Sequence, residues 1–191
     1  MTSTSLILAS GSPRRRELLE ALGVEFEVIQ SDADEMAGSQ LTPRDLVCRN
    51  AEIKAGDVAA RYPNRWVLGA DTAVALDDRI FGKPRSMKEA ETMLTTLQGQ
   101  RHQVYTGVCL IHRSSNSQET WCDFTQVGFR RLSPRQIQDY LARIEPLDKA
   151  GAYAIQDDGE RIVGRIEGSL SNVVGLPLES LEDALDRLNI R

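Results

Sequence analysis

Asp71 is the residue of this 191-residue chain whose setting most calls for chemistry. It is a single carboxylate inside the otherwise apolar run Trp66-Val-Leu-Gly-Ala-Asp-Thr-Ala-Val-Ala-Leu76. A buried carboxylate without a partner costs several kcal/mol. Two readings follow: a salt bridge to Lys83 or Lys149, or a carboxylate at a strand end that binds a divalent cation or activates water. The second chemical feature is Ser10-Gly-Ser-Pro-Arg-Arg-Arg16, directly behind the apolar run 6–9. Ser12 is a natural N-cap and Pro13 suits the first helical position, so backbone N–H groups there point outward unpaired. Three arginines at a helix N-terminus oppose the macrodipole preference, and an anion in front of them, phosphate first of all, relieves that conflict. The same cap-proline-arginine grammar recurs at Thr42-Pro-Arg44 and Ser133-Pro-Arg135. What sets the first copy apart is the strand before it, the Ser10-Gly-Ser12 turn and the additional arginines.

Three further residues are ambiguous singly. Glu35 closes the acidic run Ser31-Asp-Ala-Asp-Glu35, a pattern that is ordinarily a solvated loop. Lys83 precedes Pro84 after a tight hairpin and is either a surface lysine or a point charge on phosphate. Lys54 sits in mid-helix. Together, a helix-terminal arginine cluster, several acids and dispersed lysines suit metal-assisted attack on a phosphate ester or anhydride. Mg²⁺ needs few protein carboxylates for this, because it keeps waters and shares phosphate oxygens. The chain has no GxxxxGK[ST], no GxGxxG and no GxSxG, which excludes P-loop, dinucleotide-binding and serine-hydrolase readings.

The elements that must position these groups alternate. An apolar strand at 6–9 feeds a helix that Gly23 ends, and Val24-Glu-Phe-Glu-Val-Ile29 alternates like a half-buried strand. Thr42 opens a helix with Leu46, Ile53 and Val58 on one side, stopped by Pro63. Strand 66–76 turns at Asp77-Asp78 into 79–81, and Ser86 with Glu89 forms a capping box for a helix burying Ala90, Met93, Leu94 and Leu97. Extended segments at 103–112 and 120–131 follow. A second capping box, Ser133 with Gln136, opens a helix with Ile137, Tyr140, Leu141 and Ile144 inward. After an irregular stretch at 145–156 and an extended one at 161–166, residues 169–177 lead into a last helix carrying Leu178, Leu181, Leu185 and Leu188. Adjacent strands in the middle favour a mixed sheet over a purely parallel one.

Composition bounds the rest. At 41% apolar residues the chain is an ordinary globular protein, and its length fits one domain or two closely packed lobes. A net charge of −5 argues against a nonspecific nucleic-acid binder. Three cysteines without a CxxC pair and two histidines point to neither a disulfide framework nor a thiolate or histidine metal site. Nothing resembles a signal peptide or a membrane span, and the expected location is cytoplasmic.

Ser-Gly-Ser-Pro-Arg-Arg at 10–15, Gly69-Ala-Asp-Thr72, Gly82-Lys-Pro84, Glu145-Pro-Leu-Asp-Lys-Ala-Gly-Ala-Tyr-Ala-Ile-Gln156 and Asn172-Val-Val-Gly-Leu-Pro177 occur in this order over nearly the whole chain. In these motifs the sequence resembles the Maf family. The resemblance implies a single domain over 1–191 of the α/β class, Maf/ITPase-like, with a mixed, elongated central sheet flanked by helices and two lobes with a cleft between them. It implies hydrolysis of nucleoside triphosphates to monophosphate and pyrophosphate with Mg²⁺ or Mn²⁺, no nucleic-acid or membrane partner, and leaves a homodimer open. Asp71 becomes the general base or metal-linked carboxylate, with Glu35 as the second candidate metal ligand. Ser10, Arg14 and Arg15 fall on the phosphate side, Glu35, Lys54 and Lys83 line the cleft, and Gln156 lies near the base. Arg16 and Leu170-Ser-Asn172 receive no role. Two branches of the family differ at three positions, one resembling Arg14, Thr72 and Gln156 here, the other carrying Trp, Gln and Glu. A cationic 7-methylguanine ring suits tryptophan and a carboxylate, whereas a glutamine amide matches the carbonyl and N–H of uracil or thymine. The expected substrates are therefore dTTP and UTP; CTP stays open because the amide can flip. The competing readings are a 7-methyl-GTP pyrophosphatase and, from the family's link with arrest of septum formation and cell division, a nucleotide-sensing regulator.

Overall fold

The computed structural model describes residues 6–36 and 41–190. Its seven-stranded sheet has the order β2-β1-β3-β5-β6-β7, with β4 paired to β3. The strands are β1 (Leu6–Leu8), β2 (Phe26–Val28), β3 (Trp66–Leu76), β4 (Arg79–Phe81), β5 (Arg101–His112), β6 (Ser117–Phe129) and β7 (Val163–Glu167). The helices are α1 (Pro13–Ala21), α2 (Pro43–Arg61), α3 (Met87–Leu97), α4 (Pro134–Leu141), α5 (Leu170–Val174) and α6 (Leu178–Arg187). β1 runs parallel to β2 and β3, whereas β4 on β3 and β7 on β6 are antiparallel, so the sheet is mixed as expected.

The chain divides into two compact units, and β3, β5 and β6 each contribute residues to both. The first unit holds Met1–Asp71, Thr106–Asp123 and Gly175–Arg191. The side-chain alternation of β1 builds its core on both faces of the sheet. Leu6 and Leu8 pack with Leu19 of α1 and Leu181, Ala184 and Leu185 of α6, while Ile7 meets Ala51, Ala55, Val58 and Ala59 of α2. α2 lies close because two strand positions lack side chains. A Cβ on Gly69 would collide with the carbonyl oxygen of Ala51, and one on Gly107 with the carbonyl of Val47. Leu46 and Val58 are buried as expected, but Ile53 is only half-buried. The inward face of α2 is made instead of Val47, Ala51, Ala55 and two polar residues, Asn50 and Lys54.

The second unit holds Thr72–Tyr105 and Phe124–Val174. Its core joins Phe81, the inward residues of α3 (Ala90, Met93, Leu94, Leu97) and those of α4 (Ile137, Tyr140, Leu141). The capping box of α4 is complete: Ser133 Oγ accepts the Gln136 N–H at 3.4 Å and Gln136 Oε1 accepts that of Ser133 at 2.9 Å. That of α3 is not, because Glu89 reaches back to the N–H of Arg85 at 2.7 Å rather than to Ser86. α5, inside the stretch 169–177, is a five-residue helix that the sequence pattern does not announce.

Candidate active site

In the first unit, α1 starts as the sequence predicts: Ser12 Oγ accepts the Arg15 N–H at 3.5 Å, Pro13 holds the first position, and no acid occupies the first turn. Ser10 is buried and its Oγ accepts the N–H of Ser12 at 3.3 Å, which closes the turn behind the helix. Arg15 Nη1 donates to the same Ser10 Oγ at 3.2 Å, and its Nε to the carbonyl of Gly175 at 2.8 Å. Burial lowers the Arg15 pKa, the charges of Asp71 and Glu35 act in the opposite direction, and Arg14 adds to the lowering. Arg14 itself is half-buried. Arg16, to which no role was assigned, pairs loosely with Glu20 one turn on, at 3.7 Å.

Asp71 is 9% exposed, and its partner is neither Lys83 nor Lys149. Lys54, reaching inward from α2, places Nζ 2.8 Å from Asp71 Oδ1, 2.9 Å from Glu35 Oε1 and 3.3 Å from the carbonyl of Ala70. One ammonium thus holds two carboxylates from different parts of the sequence. Asn50 Nδ2 donates to the other Asp71 oxygen at 3.0 Å. Glu35 sits on a segment without regular structure, tied to α2 at its other end through Asp57 Oδ2, which accepts from Ser31 Oγ at 2.9 Å and from the N–H of Asp32 at 3.2 Å. Those bonds, that from Ser31 first, hold the Asp57 carboxyl below its ordinary pKa. The structure therefore brings Ser10, Arg15, Glu35, Lys54 and Asp71 together within one unit. Asn50 was missed because an asparagine in mid-helix carries no motif of its own. The signal that could have found it is its spacing four residues before Lys54, on the same helical face.

Arg14 belongs to the first unit too, whereas Thr72, Lys83 and Gln156 belong to the second. Thr72 follows Asp71 in β3 and is half-buried. Lys83 is exposed, on a segment tied down by the Gly151 N–H donating to the Gly82 carbonyl at 3.1 Å. Lys149 is buried and engaged nearby, donating to the Glu145 carbonyl at 2.6 Å and to Asp148 Oδ1 at 2.7 Å. Gln156 is exposed on a turn whose approach is anchored: Tyr140 Oη donates to the Ala154 carbonyl at 3.0 Å and accepts its N–H at 3.2 Å. Next to it the Tyr153 hydroxyl meets buried His102 Nε2 at 2.9 Å.

The side chains whose donors would suit a hard divalent cation are the carboxylates of Asp71 and Glu35. The two carboxylates converge on the Lys54 ammonium, and a carboxylate offers about four acceptor sites, so the bonds from Lys54 and Asn50 leave capacity on Asp71. Among the described residues no group of three or more His, Cys, Asp or Glu is placed to hold a metal ion. Mg²⁺ does not require such a group, since one or two carboxylates can hold it with water and phosphate supplying the rest. Cys48, Cys109 and Cys122 are free, and burial pushes the Cys109 and Cys122 thiols up to about 12, unsuited to act as thiolates. Among the described residues no helix is long and apolar enough to cross a membrane.

The family model described as Maf-like protein matches residues 5–188. A protein of Myxococcus xanthus named dTTP/UTP pyrophosphatase is 49% identical over 187 residues, covering 98% of this chain and 94% of its own. One of the same name from Bacillus anthracis is 46% identical, covering 97% and 96%. Among solved structures, a HAM1 protein from Coxiella burnetii matches with a TM-score of 0.58 at 14% identity, over 95% of this chain and 98% of that one. The Ham1 protein of Staphylococcus aureus gives 0.55 at 15% identity, over 96% and 98%. At such identities the likeness is one of fold.

Proposed function

The chain belongs to the Maf-like protein family, and from that premise we propose that it hydrolyses dTTP and UTP to the nucleoside monophosphate and pyrophosphate. The observation that carries this reading is the Lys54 ammonium held between Asp71 and Glu35, in the unit where Arg15 closes the Ser10 turn at the start of α1. Carboxylates beside a polyphosphate repel it unless cations intervene, so a site that only bound nucleotides would have no use for them. A hydrolase has two uses: to orient and deprotonate water, and to hold a metal.

The phosphates lie against the N-terminus of α1, where outward N–H groups and the arginines meet negative charge. Asp71, fixed through both oxygens, accepts the proton of the water that attacks the α-phosphorus. Lys54 offsets the repulsion between that carboxylate and the substrate. Asp71 and Glu35 would hold Mg²⁺ or Mn²⁺, which when bound supplies charge stabilisation on the phosphate oxygens. Lys83 adds a positive point charge for the departing pyrophosphate. Arg14, Thr72 and Gln156 set the base preference. The exposed Gln156 amide offers one donor and one acceptor to a neutral pyrimidine edge, whereas 7-methylguanine calls for a carboxylate.

The test is purified protein with Mg²⁺ and a panel of dTTP, UTP, CTP, purine triphosphates and 7-methyl-GTP, read for pyrophosphate against orthophosphate. The expected result is pyrophosphate, fastest from dTTP and UTP. Orthophosphate would make the protein a phosphatase, binding without turnover would make it a sensor, and preference for 7-methyl-GTP would reassign the branch.

A further inference from the structure

Asn50 is 2% exposed, yet all the polar atoms of its side chain are engaged. Its Oδ1 accepts the Met36 N–H at 2.8 Å, and its Nδ2 donates to the Met36 carbonyl at 3.3 Å and to Asp71 Oδ2 at 3.0 Å. The partners dictate the amide orientation. A backbone N–H can only donate, and a carbonyl and a carboxylate can only accept, so the flipped amide would face a like group at every contact. Asparagine is thus matched at three points, and no other side chain of its size supplies one acceptor and two donors there.

We propose that Asn50 is a positioning residue that sets the two carboxylates relative to one another. It fixes Asp71 directly, and Glu35 through the backbone of its neighbour Met36. The inference rests on the reading of these carboxylates as the reacting site. Glu35 lies on a segment with no secondary structure of its own, and its side chain is 46% exposed. A carboxylate on such a segment would sample many positions. The paired bonds to Met36 pin the residue next to it, as a strand partner would. Four residues on, Lys54 then receives Glu35 and Asp71 on one ammonium. α2 straps the segment at successive points of one face: Asp57 at Ser31 and Asp32, Lys54 at Glu35, Asn50 at Met36.

Two substitutions separate the halves of the role. Asn50→Asp keeps an acceptor for the Met36 N–H but loses the donor to Asp71. Asn50→Ala loses both. The readouts are kcat and KM for dTTP by pyrophosphate release, and hydrogen exchange at the Met36 amide. With Asn50→Asp, kcat should fall about 10- to 100-fold, the usual effect of removing a group that orients a reacting one, with KM little changed and Met36 still protected. With Asn50→Ala, kcat should fall at least as far and Met36 should exchange about tenfold faster or more. A residue that served stability alone would lower the melting temperature without lowering kcat per folded molecule. Both variants retaining wild-type kcat would overturn the proposal. So would an unprotected Met36 amide in the wild type, which needs no variant to fold. If the wild type releases no pyrophosphate from any triphosphate, the activity reading fails, while Met36 exchange still decides whether Asn50 holds the Glu35 segment.

Discussion

Lys54 carries one positive charge between two carboxylates, and this stoichiometry governs what Asp71 can do. The pair is largely buried, so its charges are little screened by solvent and neither side chain can be neutralised without consequence for the other. Asp71→Asn keeps the shape while removing the charge. Lys54 would retain Glu35 and the Ala70 carbonyl, so the variant should fold and unfold cooperatively while kcat/KM for pyrophosphate release drops by about 10²-fold or more. Wild-type activity in that variant would make Asp71 a structural ion-pair residue. Gln156→Glu replaces an amide that can donate with a carboxylate that cannot, so the preference for dTTP and UTP over 7-methyl-GTP should shrink or reverse in relative kcat/KM. Unchanged discrimination would remove Gln156 from that role. Asp71 could be singled out in the sequence because a carboxylate in an apolar strand is conspicuous. Its partner could not, since Lys54, Lys83 and Lys149 differ only in tertiary placement, and local pattern does not encode that.

The element that decides the site is α2, and it sits where it does because the strands beneath it are bare at Gly69 and Gly107. Gly107→Ala would put a methyl group against the Val47 carbonyl and 2.6 Å from the Cys48 N. The helix must then lift, carrying Asn50 and Lys54 with it. The expected cost is about 1–3 kcal/mol in urea unfolding, together with a loss of activity although residue 107 has no chemistry of its own. Gly82→Ala, where a Cβ meets nothing within 4 Å, should leave stability nearly unchanged. Equal stability of both variants would refute the close-approach argument. Elements marked by local chemistry were readable: the caps at Ser12, Thr42 and Ser133, the turn at Asp77, and the stripes of α3 and α4. α2 was readable as a helix but not by face. Its inward side mixes alanines with Asn50 and Lys54, while Ile53 stays half-buried, so hydrophobic periodicity misidentifies the side that matters. α5 was missed because five residues hold too little pattern to distinguish a turn of helix from a loop.

For the molecule as a whole, acid should act first through His102, a group given no part in the chemistry. Burial of His102 lowers its pKa from 6.5 to about 4. Between those values the unfolded chain binds a proton that the folded chain does not, so stability falls as pH drops through the window. This group costs about 3 kcal/mol by pH 4 and nothing above 6.5. Urea unfolding at a series of pH values should show that slope, and His102→Gln should flatten it; parallel curves would show that His102 binds its proton as readily in the folded chain as in the unfolded one. The mixed sheet and its flanking helices followed from the alternation of patterns along the chain, whereas the division into two units, with three strands shared between them, is a property of long-range contacts that no local signal carries. The motifs at 10–15, 69–72, 82–84, 145–156 and 172–177 span both units, which is why family membership was visible before the residues could be placed. Isotope placement decides whether water, directed by Asp71, attacks the α-phosphorus as proposed. Hydrolysis of dTTP in ¹⁸O-water should put one labelled oxygen in the nucleoside monophosphate and none in pyrophosphate. Label in the pyrophosphate would mean attack at the β-phosphorus and would contradict the account.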